Sequence, residues 1–142
     1  NELISLDALT DELLSNFQDI AEHKGIQVDV DYTATLRVKG NRDLLAMALS
    51  NLIRNAIRYT ESDGEIRISI NSNSWQIANS TNLGALPESY IFNRFYKGSD
   101  SMQSNGLGLS LVRSILQITP GGGVAYHFEN NFHIFSISFT NS

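Results

Sequence analysis

Residues 51–60 read Asn51-Leu52-Ile53-Arg54-Asn55-Ala56-Ile57-Arg58-Tyr59-Thr60, a run that sets carboxamides and a cation on a single face of a helix. On a helix, positions i, i+4, i+7 and i+8 share a face. Asn51, Asn55, Arg58 and Tyr59 hold those positions, so two carboxamides and a cation stand together. Leu45, Leu49, Leu52 and Ala56 take the neighbouring stripe and face a core. A carboxamide oxygen is a hard neutral ligand suited to Mg²⁺, which keeps several waters and takes its substrate's phosphate oxygens. Arg58, one turn on, could neutralise phosphate charge. The same spacing also describes a solvated face with two asparagines, and asparagine is a poor helix former. Spacing alone leaves both readings open.

Some fifty residues on, Asn105-Gly106-Leu107-Gly108-Leu109 forms a glycine turn that opens into an apolar helix. Gly106 and Gly108 let backbone approach a phosphate, and the helix start turns free N–H groups and its positive dipole end toward an anion. A Gly-x-Gly pair alone is most often a tight turn. Here it follows a long polar segment and precedes an unbroken apolar run. Neither stretch is a Walker loop.

With 142 residues and 42% hydrophobic content, the chain suffices for one domain with a real core, residues 1–142. The formal charge of −5 opposes a surface built for nucleic acid or anionic lipid. Cysteine is absent, so no disulfide framework or thiolate metal site is possible. No apolar stretch approaches the ~20 residues that span a bilayer, so no direct membrane contact is expected. The start at Asn1-Glu2, without methionine, suggests a fragment of a longer protein.

Outward from the asparagine run, Asn41 is a candidate N-cap for a helix reaching about Thr60. Leu9, Leu13, Phe17, Ile20 and Ala21 have the spacing of an earlier amphipathic helix over 9–24, ended by Gly25. Ile26, Val28, Val30 and Tyr32 alternate with polar residues as a half-buried strand. Ile66, Ile68 and Ile70 form a second strand. Trp75 and Ile77 begin a third, whose inward parity next falls on Asn79. Residues 80–105 show little periodicity and read as a functional loop. A third helix runs from about Leu107 to Ile118. The C-terminus reads as a hairpin turning at Asn130-Asn131, with Tyr126 facing Phe135 and Val124 facing Ile137. Strands with one polar face imply an α+β two-layer sandwich, its sheet covered on one side by three helices.

These stretches, with Ile91-Phe92-Asn93-Arg94-Phe95-Tyr96-Lys97 between them, closely resemble the catalytic ATP-binding domain of sensor histidine kinases. Those domains belong to the GHKL superfamily, with gyrase, MutL and a heat-shock chaperone. The resemblance covers essentially the whole chain and implies the Bergerat fold, with a mixed, mostly antiparallel sheet. It implies ATP and Mg²⁺ as ligands, with Asn55 on the metal and Asn51 supporting it. Arg58 and Tyr59 match positions beside the phosphates and nucleotide. Phe92 and Phe95 match the F box, Lys97 follows it, and residues 96–105 match the ATP lid. Gly106, Leu107, Gly108 and Leu109 match the second glycine box, whose first glycine is here Ser104.

Two positions carry further meaning within the resemblance. Hydrolytic members of the superfamily hold a glutamate four residues before the magnesium asparagine, as general base. Here that residue is Asn51, which takes no proton at neutral pH. Transfer to a separate acceptor is therefore favoured over hydrolysis, since phosphoryl transfer needs mainly positioning and charge neutralisation. The G1 box, normally Asp-x-Gly-x-Gly, is Asn79-Ser80-Thr81-Asn82-Leu83. Asn79 offers adenine's amine a neutral carbonyl in place of a carboxylate, which predicts weaker adenine binding.

By resemblance, then, the chain is the kinase module that presents Mg·ATP to a histidine on a separate dimerisation domain of the same parent. The phosphate would pass to a response-regulator receiver domain, in the cytoplasmic part of a membrane-bound sensor. The acceptor histidine is missing, so no autophosphorylation is expected, and His23, His127 and His133 read as surface residues. The rival reading is a degenerate interaction module of the same fold with weak or no ATP binding.

Overall fold

The run from Arg42 to Tyr59 is one unbroken helix, and the rest of the chain is arranged around it. The computed structural model describes residues 2–82, 84–86, 92 and 108–140. In chain order the elements are β1 (Glu2–Ser5), α1 (Leu6–Ser15), α2 (Gln18–His23), β2 (Gln27–Tyr32), β3 (Arg37–Gly40), α3 (Arg42–Tyr59), β4 (Glu65–Ile70), β5 (Ser74–Ser80), α4 (Gly108–Ile118), β6 (Gly122–Glu129) and β7 (Phe132–Phe139). Asn41 caps α3 as expected, its Oδ1 accepting the Leu44 N–H at 3.0 Å.

The main sheet has the order β2-β4-β5-β7-β6. β2 pairs with β4 in parallel, and every other pairing in it is antiparallel. Ile66, Ile68 and Ile70 meet Asn79, Ile77 and Trp75 in register, so one face carries an apolar array that ends in an amide. Leu45, Leu49, Leu52 and Ala56 of α3 are buried, as their spacing requires. Trp75 is fully buried and donates its indole N–H to Thr10 Oγ1 at 2.9 Å, fastening α1 to the sheet. The hairpin turns at Asn130 and Asn131, whose φ values of 52° and 65° are those of a type I′ turn. Tyr126 pairs with Phe135 and Val124 with Ile137. The two-layer α+β sandwich with a mixed, mostly antiparallel sheet is the architecture expected from the sequence.

Four details depart from the sequence reading. The helix expected over 9–24 begins at Leu6 and breaks after Ser15 into two. Ser15 and Asn16 are weak helix formers, and the amides of Asn16 and Phe17 turn back to the carbonyls of Leu13 and Leu14, tightening the chain. Ile20 is left 53% exposed, off the core. The helical layer among the described residues thus has four helices, the short α2 making the fourth. The alternation in β2 is only partly buried, because β2 is the sheet edge: Val30 is 42% exposed and borders a cavity of about 440 Å³ beneath α1 and α2. Finally, β1 and β3 form a separate two-stranded sheet that no periodicity announced.

Candidate functional site

The two asparagines of α3 differ in commitment. Asn51 Oδ1 accepts from Arg54 Nη1 at 2.9 Å, and the Arg54 guanidinium also lies over the Phe17 ring, 5.8 Å from its centroid. Asn55 is half-buried, and its carboxamide makes no hydrogen bond among the described residues. A free hard oxygen on the shared face is the donor that Mg²⁺ would use, with water and phosphate completing the shell. No cluster of three or more His, Cys, Asp or Glu that could hold a metal occurs among the described residues. Arg58 is half-buried on the same face, and Tyr59 is 37% exposed at the helix end.

The C-terminal turn of α3, which carries Arg58 and Tyr59, is held from outside. Lys24 Nζ donates to the carbonyls of Ile57 at 2.8 Å, Arg58 at 3.3 Å and Thr60 at 2.8 Å. A helix leaves its last carbonyls unpaired, and a cation there also suits the dipole. Thr60 is buried and its hydroxyl donates to the Ala56 carbonyl. Lys24 is positioned by the turn at Gly25, whose φ of +70° favours glycine. A Cβ at Gly25 would run into the Asp63 carboxylate. Sequence reasoning missed this clamp, since its partners lie more than thirty residues away.

On the sheet, Asn79 is buried at 4% exposure on the face that carries Trp75 and Ile77, where strand parity aimed it. Its Nδ2 is the buried side-chain polar atom without a hydrogen-bond partner among the described residues. Thr81, also in the altered glycine box, is buried.

His133 corrects the expectation that all three histidines are surface residues. It is 6% exposed and pairs with Asn79 in the β5–β7 ladder. Burial pushes its imidazole pKa below the ordinary value. Its Nδ1 lies 2.9 Å from the Tyr126 hydroxyl, which also accepts the Leu86 N–H at 2.8 Å. The signal was present: the parity that sends Phe135 and Ile137 inward sends His133 inward too. His23 and His127 are exposed, as expected.

Phe92 meets the ring of Phe135 edge-on, with centroids 6.1 Å apart. Leu86 and Phe92 thus each contact the end of the sheet that holds Asn79, Tyr126 and His133. Gly108 opens α4 and Leu109 follows it, both half-buried. Phe95, Lys97, Gly106 and Leu107 lie outside the described residues, as do all of residues 96–105 and Leu83.

Residues 40–139 match the family described as histidine kinase-, DNA gyrase B-, and HSP90-like ATPase. The chain is 34% identical over 126 residues to the heme sensor protein HssS of Staphylococcus aureus strain MW2, covering 85% of this chain and 27% of that protein. It is 30% identical over 141 residues to HssS of Staphylococcus saprophyticus, covering 96% and 30%. The chain therefore spans less than a third of the length of these curated relatives. The nucleotide-free catalytic domain of histidine kinase ThkA superimposes with a TM-score of 0.85 at 25% identity, covering 97% of this chain and 93% of that one. ThkA in complex with the response regulator TrrA gives 0.75 at 27% identity, covering 98% and 42%.

Proposed function

Because the chain belongs to the histidine kinase-, DNA gyrase B- and HSP90-like ATPase family, we propose that it is the catalytic ATP-binding domain of a sensor histidine kinase. Residues 1–142 act as a single domain that presents Mg·ATP to a histidine on a separate dimerisation domain of the parent protein. The observation that carries the reading is the uncommitted carboxamide of Asn55, one turn from Arg58 on the face shared with Asn51. Likeness to the HssS sensors and to the ThkA catalytic domain supports the kinase branch of the family.

Asn55 would hold Mg²⁺ by its Oδ1, and the metal when bound neutralises charge on the phosphate oxygens it takes up. Arg58 places a guanidinium beside those oxygens, and the Lys24 clamp fixes the turn that carries it. Tyr59 and Phe92 flank the nucleotide, and Asn79 faces the base. The start of α4 at Gly108 and Leu109 turns N–H groups toward the phosphates. Phe95, Lys97, Gly106 and Leu107 complete the set by their place in the motifs. Asn51 is no base, and its oxygen is occupied by Arg54, so water in the site is not activated and the phosphoryl group is kept for the acceptor.

In the parent protein, the phosphate would pass on to a response-regulator receiver domain, as the TrrA complex of ThkA suggests. The domain would lie in the cytoplasmic part of a membrane-bound sensor; no described helix is long and apolar enough to cross a membrane. The test is transfer in trans. Radiolabelled ATP, this chain and the histidine-bearing dimerisation domain of the parent are mixed. Acid-labile label on the dimerisation domain alone is expected. Label on His23, His127 or His133, or no transfer despite ATP binding, would overturn the assignment.

A further inference from the structure

Asn79 and His133 are direct partners across the β5–β7 ladder, and both are buried. A buried amide N–H without an acceptor is costly and uncommon in folded proteins. Nδ2 of Asn79 is such a group among the described residues. Its ladder partner does not relieve it, because Nδ1 of His133 is engaged by the Tyr126 hydroxyl at 2.9 Å. The flanking partner on the other side, Ile66, has only a hydrocarbon side chain. A ligand that brings an acceptor to this N–H would satisfy it.

A carboxamide can read a purine edge in two ways. In one, Oδ1 accepts from the amine at position 6 while Nδ2 donates to ring N1. Turned by half a revolution about its last torsion, the same amide donates from Nδ2 to a 6-oxo group while Oδ1 accepts from the ring N1–H. Both arrangements give the orphaned N–H an acceptor. A carboxylate has acceptors only and would repel a 6-oxo group. We propose that Asn79 is the base-specificity residue of this site and admits 6-oxopurine nucleotides alongside adenine nucleotides. The proposal rests on the reading that Asn79 faces the base.

The test is calorimetric titration of the chain with the Mg²⁺ complexes of ATP, inosine triphosphate and GTP. Inosine triphosphate lacks the 2-amino group of guanine, so it isolates the 6-position. The expected affinity for inosine triphosphate is within about tenfold of that for ATP. In Asn79→Asp, inosine triphosphate should weaken by at least about tenfold while ATP is held or tightened. Inosine triphosphate binding more than about tenfold weaker than ATP in the parent chain, with ATP still requiring Asn55, would overturn the proposal and leave the nucleotide site standing. An unchanged preference in a folded Asn79→Asp variant would do the same. If that variant does not fold, the ratio in the parent chain decides. Failure to bind any nucleotide would overturn both this proposal and the reading beneath it.

Discussion

Arg54 donates to the side-chain oxygen of Asn51 at 2.9 Å, one turn before Asn55, whose own carboxamide is left uncommitted. The ion-dipole contact, with Phe17 beneath the guanidinium, leaves the two carboxamides in different states. Asn51 is held in place, and Asn55 is available to a metal.

Arg54 and Arg58 should therefore differ in effect although both lie on α3. Arg58→Ala removes a cation from the proposed phosphate face and should weaken Mg·ATP by roughly tenfold, about 1.4 kcal/mol. Arg54→Ala should change affinity by less than about twofold, since its partner is Asn51. Titration of both variants with Mg·ATP checks the contrast, and a larger loss for Arg54→Ala would reverse the assignment.

Lys24 should matter for stability and for nucleotide binding together. Lys24→Met keeps the aliphatic stem and removes the donor to three carbonyls at the end of α3. Leaving these half-buried acceptors to water should cost about 1–2 kcal/mol. Urea unfolding followed by circular dichroism measures this, and Mg·ATP affinity should fall in step as the turn bearing Arg58 and Tyr59 loosens. An unchanged unfolding midpoint would show that the clamp contributes nothing.

His133 gives the fold a dependence on pH. Burial lowers its native pKa below the ordinary value, whereas the unfolded chain titrates near 6.5. As pH falls below about 6.5 the unfolded state takes up the proton first, so stability is lost until the depressed native pKa is passed. Above that range the histidine contributes no slope. His133→Gln should flatten the decline, as read from urea midpoints on either side of pH ~6.5. A parent and variant with parallel pH profiles would contradict the burial argument.

Much of this was legible in the sequence wherever a single period ruled. The apolar stripe of α3, its Asn41 cap, the isoleucines of β4 and the Asn130-Asn131 turn each followed from local spacing. Inward aim of Asn79 followed from parity with Trp75 and Ile77. What escaped depends on distant partners. β1 and β3 are four residues each and are strands only because they pair with one another. Lys24 has no local signature, because its acceptors arrive with α3. His133 differs again: its place beside the turn suggests the surface, but it shares the inward parity of Phe135 and Ile137. The break between α1 and α2 lay hidden because Phe17 and Ala21 keep helical spacing across it.

The role of Asn55 is tested most directly by calorimetric titration of the chain with ATP, with and without Mg²⁺, in the parent and in Asn55→Ala. The parent should bind ATP more tightly with the metal present. Asn55→Ala should lose that metal-dependent gain, and Asn55→Asp, which keeps an oxygen in place, should lose less. A folded Asn55→Ala chain that binds Mg·ATP like the parent would contradict the assignment of α3 as the metal- and phosphate-binding face.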